Sequence, residues 1–115
     1  MLQAIVFAVV LCAGAVAPAW AQDANALGEK VFVDQKCTLC HSVAGRGNVK
    51  GPLDDVGSRL SPAEIRAWIT DPKDMTAKTS ATRKPEMKAY ILPKVELDLV
   101  VAYLSAMKKQ SVNAR

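Results

Sequence analysis

The stretch Cys37-Thr38-Leu39-Cys40-His41 decides what this 115-residue chain folds around. Two cysteines three positions apart, followed directly by a histidine, form the pattern that attaches c-type haem. The spacing follows from the chemistry, because both thiols must add to the two vinyl groups of one porphyrin while the adjacent imidazole reaches the iron. The motif therefore predicts one covalently bound haem c, with Cys37 and Cys40 as its thioether attachments and His41 as the proximal axial ligand.

Cysteines and a histidine at this spacing have three alternative roles: a redox pair, a zinc site and a structural disulfide. A thioredoxin-like redox pair needs alternating strands and helices, and the sequence shows no such alternation. A zinc site usually takes four Cys or His ligands, and this region offers three. A structural disulfide between Cys37 and Cys40 would make the histidine incidental. Because His41 is the only histidine of the chain, ligation of one haem by two histidines within the chain is excluded.

The amino-terminal segment predicts an exported protein. Residues 4–17 are almost wholly apolar, and Ala19-Trp20-Ala21 is a small-x-small cleavage pattern, so the mature chain is expected to begin at Gln22. The apolar run is short for a membrane span, and retention as an anchor is the less favoured alternative. We therefore expect a cleaved secretory signal peptide over residues 1–21 and a periplasmic protein without a stable membrane anchor.

The mature part, residues 22–115, has the size of one small monohaem domain. Its two cysteines both belong to the haem motif, so none is left for a disulfide framework. All 15 basic and 11 acidic residues lie in this part, which keeps the formal net charge of +4. No basic helix face with interleaved aromatic residues is visible, which argues against nucleic-acid binding. We expect a monomer whose small core is completed by the porphyrin.

The spacing of apolar residues predicts an all-α domain with three main helices and long loops. The first helix is expected over roughly residues 25–36, and the second begins at Ser61-Pro62-Ala63-Glu64, an N-cap serine, an N1 proline and a capping-box glutamate. Asp71-Pro72 ends the second helix, residues 72–92 form a long polar connection, and the last helix begins near Pro93. The apolar stripe of that last helix is assigned to Val95, Leu99, Ala102, Tyr103, Ala106 and Met107.

Several segments besides the haem motif resemble the class I c-type cytochromes, the small soluble bacterial monohaem cytochromes c. They are Gly28-Glu29-Lys30-Val31-Phe32, Gly51-Pro52-Leu53-Asp54, Val56-Gly57-Ser58-Arg59-Leu60, Ile65-Arg66-Ala67-Trp68-Ile69 and Val101-Ala102-Tyr103-Leu104. The resemblance covers nearly all of residues 22–115 and implies the cytochrome c fold, in which helices and loops wrap around one covalently attached haem. It also implies that the first and last helices cross with Tyr103 near Gly28.

The resemblance implies roles for three further residues around the haem. The carbonyl of Pro52 is expected to accept the second ring N–H of His41 and so to orient the axial ligand. Arg59 and Trp68 are candidate contacts of the haem propionates. A solvated arginine and a core tryptophan are the plain alternatives for these two side chains.

The distal axial ligand is assigned by the same resemblance. Methionine is the usual distal ligand of the family, and a His/Met pair raises the haem potential into a range suited to electron transport. The ligand typically stands in a Lys-Met-Pro-x-aromatic setting before the last helix. Met87 matches it in Lys84-Pro85-Glu86-Met87-Lys88-Ala89-Tyr90, except that Glu86 replaces the lysine and Lys88 replaces the proline. Met75 is the lesser candidate, and an open or lysine-ligated iron is the further alternative.

The resemblance implies a periplasmic electron-transfer protein that shuttles single electrons between larger redox proteins and is not itself an enzyme. Two alternatives stay open: a dedicated cytochrome subunit of a periplasmic dehydrogenase complex, and a haem sensor or weak peroxidase with an open sixth iron position. Six basic residues against two acidic ones lie between residues 73 and 94. They predict a positive surface that steers acidic redox partners, on the dehydrogenase or the terminal oxidase side. The six are Lys73, Lys78, Arg83, Lys84, Lys88 and Lys94.

Overall fold

The computed structural model describes residues 13–16 and 19–109. Within them the chain forms five α-helices: α1 (Ala19–Asp34), α2 (Val56–Arg59), α3 (Pro62–Thr70), α4 (Pro72–Thr79) and α5 (Lys94–Ser105). A 3₁₀ turn over Cys37–Leu39 carries the haem motif, and an antiparallel hairpin of β1 (Ser42–Val43) and β2 (Arg46–Gly47) follows it. This predominantly helical architecture confirms the predicted all-α class.

The predicted signal peptide lies mostly outside the described residues, since its apolar run occupies residues 4–17 and the description begins at residue 13 and omits 17 and 18. None of the helices within residues 13–16 and 19–109 combines the length and the hydropathy that a membrane-spanning helix needs.

The first helix differs from its predicted bounds at both ends. It begins at Ala19, because the alanine-rich stretch that follows favours helix and contains no breaker. Asp23 and Asn25, two residues of the types that commonly cap helices, therefore lie inside the helix. It ends at Asp34 and not at residue 36, because Lys36 takes the left-handed backbone conformation with φ 58°, which an α-helix cannot include.

The first helix crosses α5 at a point where α1 has no room for a side chain. A Cβ added to Gly28 would lie 2.5 Å from the carbonyl oxygen of Leu99 and 2.5 Å from the Cβ of Tyr103. One turn further along α1, the rings of Phe32 and Tyr103 pack with their centroids 5.9 Å apart. The predicted crossing, with Tyr103 beside Gly28, is therefore confirmed.

The buried face of α5 differs from the predicted apolar stripe. The buried residues of α5 are Val100, Val101, Tyr103 and Leu104. By contrast, Val95 is 70% exposed and Ala102 lies on the surface. Because α5 packs against α1, α2 and α3 together, its inner face is set by three neighbours and is broader than a stripe of residues three and four apart.

The second main helix, α3, begins as predicted. The Ser61 hydroxyl accepts a hydrogen bond from the Glu64 backbone N–H at 3.2 Å, and the Glu64 carboxylate accepts one from the Ser61 backbone N–H at 2.7 Å. Both halves of the capping box are therefore formed, and they satisfy two N–H groups that would otherwise lack a partner at the helix start.

The predicted polar connection over residues 72–92 is wrong in its first part, because Pro72–Thr79 forms α4. The Asp71 side chain accepts a hydrogen bond from the backbone N–H of Asp74 at 3.2 Å, and Pro72 stands at the first helical position. A capping acceptor followed by proline is a helix start signal. The residues that end α3 therefore also begin α4.

The segment after α5 folds back onto the short helix α2. The backbone N–H of Gly57 donates to the Met107 carbonyl at 2.8 Å, and the N–H of Lys109 donates to the Ser58 hydroxyl at 2.6 Å. The Lys108 ammonium donates to the Gly57 carbonyl at 2.5 Å. Helix α2, which no periodicity in the sequence predicted, is thus fixed by the end of the described chain.

Candidate functional site

A cavity of about 630 Å³ occupies the space that the helices enclose. Its wall is mainly apolar, and the core residues that form it are Val31, Phe32, Val56, Ile65, Ile69, Val100 and Leu104. Volumes of about 300–1,000 Å³ are typical of small-molecule and cofactor sites. The core of this domain therefore surrounds a cofactor-sized apolar space and does not close on itself.

Cys37, Cys40 and His41 all line this cavity. The two thiols are free, with Cys37 half-buried and Cys40 exposed, so the structure contains no disulfide between them. Burial raises the pKa of the Cys37 thiol to about 11, which keeps this group neutral against the apolar wall. Within residues 13–16 and 19–109, no group of three His, Cys, Asp or Glu side chains is arranged to hold a metal ion, so the zinc alternative has no support there.

The orientation of His41 is fixed by Gly51, and the prediction that Pro52 supplies the acceptor is wrong. The Nδ1 atom of His41 lies 3.1 Å from the Gly51 carbonyl oxygen. The Ser42 N–H also donates to that oxygen at 3.0 Å, and the Ser42 carbonyl accepts from the Leu53 N–H at 2.9 Å. This backbone bridge turns the Gly51 carbonyl towards the histidine, whereas Pro52 is exposed.

The same contact selects the tautomer of the His41 ring, and burial keeps the ring neutral. A carbonyl oxygen can only accept, so the proton is assigned to Nδ1 and the lone pair to Nε2. Burial lowers the pKa of His41 below its ordinary value, the hydrogen bond to Gly51 opposes that shift, and the charge of Arg83 adds to it. The imidazole is therefore neutral at pH 7, which is the state that ligates a metal.

Gly47 and Asn48, which follow the haem motif in the chain, contact its backbone and hold it in place. The backbone N–H of Asn48 approaches the carbonyl oxygens of Thr38 and His41 at 3.0 and 3.1 Å, and its side-chain amide donates to the Leu39 carbonyl at 3.1 Å. Gly47 has φ 106°, and an added Cβ would collide with the His41 carbonyl oxygen. In the sequence, Gly47-Asn48 indicates only a turn, so the contact with the motif could not be foreseen.

Only one of the two candidate methionines, Met87, lines the cavity. Met87 belongs to residues 80–93, between α4 and α5, which we call the methionine loop. Its side chain is half-buried and lines the cavity, as does Tyr90 three residues later. Met75 is buried in α4 and does not line the cavity. The placement favours Met87 as the distal ligand.

The two candidate propionate contacts also line the cavity. Arg59 extends from α2 and pairs through its Nε with the Asp55 carboxylate at 2.9 Å, with about half of its side chain exposed. Trp68 is half-buried on α3. The structure therefore places a cation and a ring N–H donor at the wall of one cavity, and the propionate assignment stays a prediction.

Ion pairing reduces the predicted positive surface. Within the described residues, three of the six cations form ion pairs: Lys78 with Asp74, Lys84 with Glu86 and Lys94 with Asp98. Of the other three, Arg83 and Lys88 line the cavity. Two of the three cations of this set that form no ion pair in the described part of the chain therefore lie beside the cavity.

Comparison with known proteins identifies the family of this chain and the cofactor that the family implies. The family model for cytochrome c matches residues 25–108, and its motif implies covalently bound haem c, which Cys37 and Cys40 fit. The "Cytochrome c oxidase subunit 2" of Alkalihalophilus pseudofirmus is 28% identical over 90 residues, covering 70% of this chain and 25% of that protein. The chain thus spans about a quarter of the length of that relative. No solved structure gives a significant match. The chain belongs to the cytochrome c family, as its resemblance to the class I c-type cytochromes implied.

Proposed function

We propose that this protein is a periplasmic electron carrier that passes single electrons, through a His/Met-ligated haem c, between larger redox proteins. The observation that carries the proposal is that His41 and Met87 line one apolar cavity, with the His41 Nε2 lone pair free. When bound, haem supplies a one-electron ferric/ferrous couple. With His41 and Met87 as its ligands, the iron would leave no position open to a substrate, and no residue would be needed as nucleophile, acid or base.

In this proposal each part of the cavity has a separate task. Cys37 and Cys40 would hold the haem covalently, and the Gly51 carbonyl keeps the His41 ring oriented with its proton on Nδ1 in the neutral form. The apolar wall excludes water and favours the less charged, ferrous form of a buried haem. Arg59 and Trp68 are assigned to the haem propionates.

The ferric spectrum of the purified holoprotein tests this function. We expect low-spin haem with a methionine-sulfur-to-iron charge-transfer band, because both axial positions are filled in the proposed carrier. A haem sensor or weak peroxidase would instead show high-spin ferric haem that binds added ligands readily. The replacement of proline by Lys88 after Met87 is the observation that favours this second candidate, and a high-spin spectrum would overturn the carrier.

We propose that residues 1–21 act as a cleaved signal peptide and that the mature protein is a periplasmic monomer without a membrane anchor. The apolar run of residues 4–17 and the cleavage pattern at Ala19-Trp20-Ala21 support this assignment. Since α1 begins at Ala19, cleavage before Gln22 would remove only its first three residues and would leave the crossing at Gly28 intact.

We propose a terminal oxidase as the electron acceptor and a dehydrogenase as the donor. The relative named cytochrome c oxidase subunit 2 supports the first of these, since a quarter of that protein aligns with this chain. A dedicated cytochrome subunit of a dehydrogenase complex is the alternative. Size-exclusion chromatography of the native protein from its source distinguishes the two, because a dedicated subunit would elute with its dehydrogenase.

The cations beside the cavity are proposed to attract acidic partners, and reversing the charge of Lys88 tests this role. We expect Lys88→Glu to slow oxidation of the ferrous holoprotein by the anion hexacyanoferrate(III) roughly threefold or more at low ionic strength, because like charges reduce the encounter rate. The difference should shrink as salt is added. Stopped-flow absorbance measures the rate.

Lys30→Glu is the matched control for this experiment, since Lys30 lies on α1, does not line the cavity and changes the net charge equally. We expect its rate to stay close to that of the unmodified protein. Equal slowing by both variants would show that net charge alone matters, and the proposed docking surface would be wrong.

A further inference from the structure

Arg83 joins the methionine loop to the haem-attachment motif. Its Nη2 donates to the carbonyl oxygen of Cys40 at 2.6 Å, although 43 residues separate the two in the chain. The guanidinium lies directly against Gly51, where an added Cβ would be only 2.7 Å from the Arg83 Cζ. The guanidinium therefore occupies space that is available only because Gly51 has no side chain. A hydrogen bond from a cation is stronger than one between neutral groups.

The methionine loop has a second anchor on the other side of Met87. The backbone N–H of Tyr90 donates to the Ile69 carbonyl of α3 at 2.9 Å. Met87 thus lies between two attachment points, four residues after Arg83 and three before Tyr90. The two anchors hold the loop to different parts of the domain, the haem motif and α3.

Beyond Ala81, whose backbone N–H donates to the Thr76 carbonyl of α4 at 3.2 Å, the anchor at Arg83 fixes the first half of the loop. Residues 81–86 are all exposed, so burial does not hold them in place. The ion pair of Lys84 with Glu86 joins two residues of the same loop and cannot attach the loop to the rest of the domain. The contact between Arg83 and Cys40 therefore decides how closely this half of the loop stays to the haem motif.

We propose that Arg83 is a positioning residue that keeps Met87 on the haem iron by tying the methionine loop to Cys40. The inference rests on the proposed ligation by Met87. Movement of the loop away from the cavity has to break the contact between Arg83 and Cys40, so this contact slows the departure of the methionine. Arg83 acts through Met87 and does not itself ligate the iron.

Ligand exchange in the ferric holoprotein tests this role. Added imidazole replaces the methionine at a rate measured by the loss of the sulfur-to-iron charge-transfer band. We expect this replacement to be roughly tenfold faster in Arg83→Gln, the order of change that follows loss of one charge-assisted hydrogen bond. Arg83→Lys keeps a donor for the Cys40 carbonyl and should recover part of the slow rate, although an ammonium is smaller and lacks the planar guanidinium that contacts Gly51.

The matched control is Lys84→Gln, which removes the same charge from the next residue but breaks only a contact within the loop. We expect its exchange rate to equal that of the unmodified protein. If Arg83→Gln and Lys84→Gln exchange equally fast, the role of Arg83 is only electrostatic and the proposal is wrong. Chemical denaturation of each holoprotein shows whether a changed rate merely reflects lower global stability.

Amide hydrogen exchange of residues 81–90 provides a readout other than the spectrum of the iron. We expect faster exchange in this segment for Arg83→Gln and unchanged exchange for Lys84→Gln. A wild-type spectrum without the methionine band would refute the proposed ligation by Met87 and the inference with it. If Arg83→Gln shows a normal methionine band and unchanged amide exchange in the loop, the positioning role of Arg83 is wrong, whereas the proposed ligation by Met87 stands.

Discussion

Met87→Ala is expected to abolish the sulfur-to-iron charge-transfer band and to lower the reduction potential of the holoprotein by on the order of a few hundred millivolts, because axial ligands set haem potentials over about 0.8 V. A thioether favours the ferrous state, so its loss favours the ferric state. Absorbance spectra of the ferric protein and a spectroelectrochemical titration measure both effects.

Met75→Ala is the matched control for this substitution. Met75 is buried in α4 outside the cavity, so its removal should leave the band and the potential unchanged. The expected cost is instead about 2–5 kcal/mol in the free energy of unfolding, the range for truncating a buried methionine. A band that persists in Met87→Ala and disappears in Met75→Ala would reverse the assignment of the distal ligand.

Gly28→Ala is expected to destabilise the domain by roughly 2 kcal/mol, because an added Cβ meets the Leu99 carbonyl and the Tyr103 Cβ at 2.5 Å. Both are backbone or backbone-proximal atoms that cannot rotate away, so the two helices must separate. Overpacking of this kind typically costs about 1–3 kcal/mol, and it exceeds the gain of up to about 1 kcal/mol in helix propensity. Chemical denaturation of the holoprotein measures the change.

Leu27→Ala, at the neighbouring position on α1, provides the comparison for Gly28→Ala. Leu27 is about half exposed, so we expect its replacement to lower the free energy of unfolding by no more than about 0.5–1 kcal/mol. Since α1 and α5 enclose part of the cavity, Gly28→Ala should also reduce the fraction of protein purified with haem. A Gly28→Ala variant as stable as the unmodified protein would show that the helices can separate at no cost.

Local start and stop signals can be predicted from sequence where neighbouring residues satisfy one another's hydrogen-bonding groups. The capping box of Ser61 and Glu64 is an example, because all of its atoms lie within four consecutive residues. The same reasoning missed α4, although Asp71 and Pro72 carry a similar signal. In the sequence Asp71-Pro72 indicates the end of α3 equally well, and the segment that follows is too polar to show the apolar periodicity that predicts a helix.

Local ion pairs and tertiary contacts account for the other differences. Lys94 pairs with Asp98, four residues later in α5 and outside the counted range, so counting charges between residues 73 and 94 overstated the positive surface. The acceptor for His41 is Gly51 and not Pro52, because the bridge between Ser42 and Leu53 sets the direction of the carbonyl. A sequence pattern does not contain that direction.

The sequence by itself determined the covalent chemistry of this protein. Haem attachment requires two thiols and an imidazole at fixed short spacing, so five consecutive residues, Cys37 to His41, are sufficient to predict it. Only the tertiary structure decided how the proposed iron ligands are held. The Gly51 carbonyl that orients His41, the cavity that admits Met87 and not Met75, and the reach of Arg83 to Cys40 all join residues distant in the chain. Such contacts depend on backbone direction and helix packing, which no local pattern encodes.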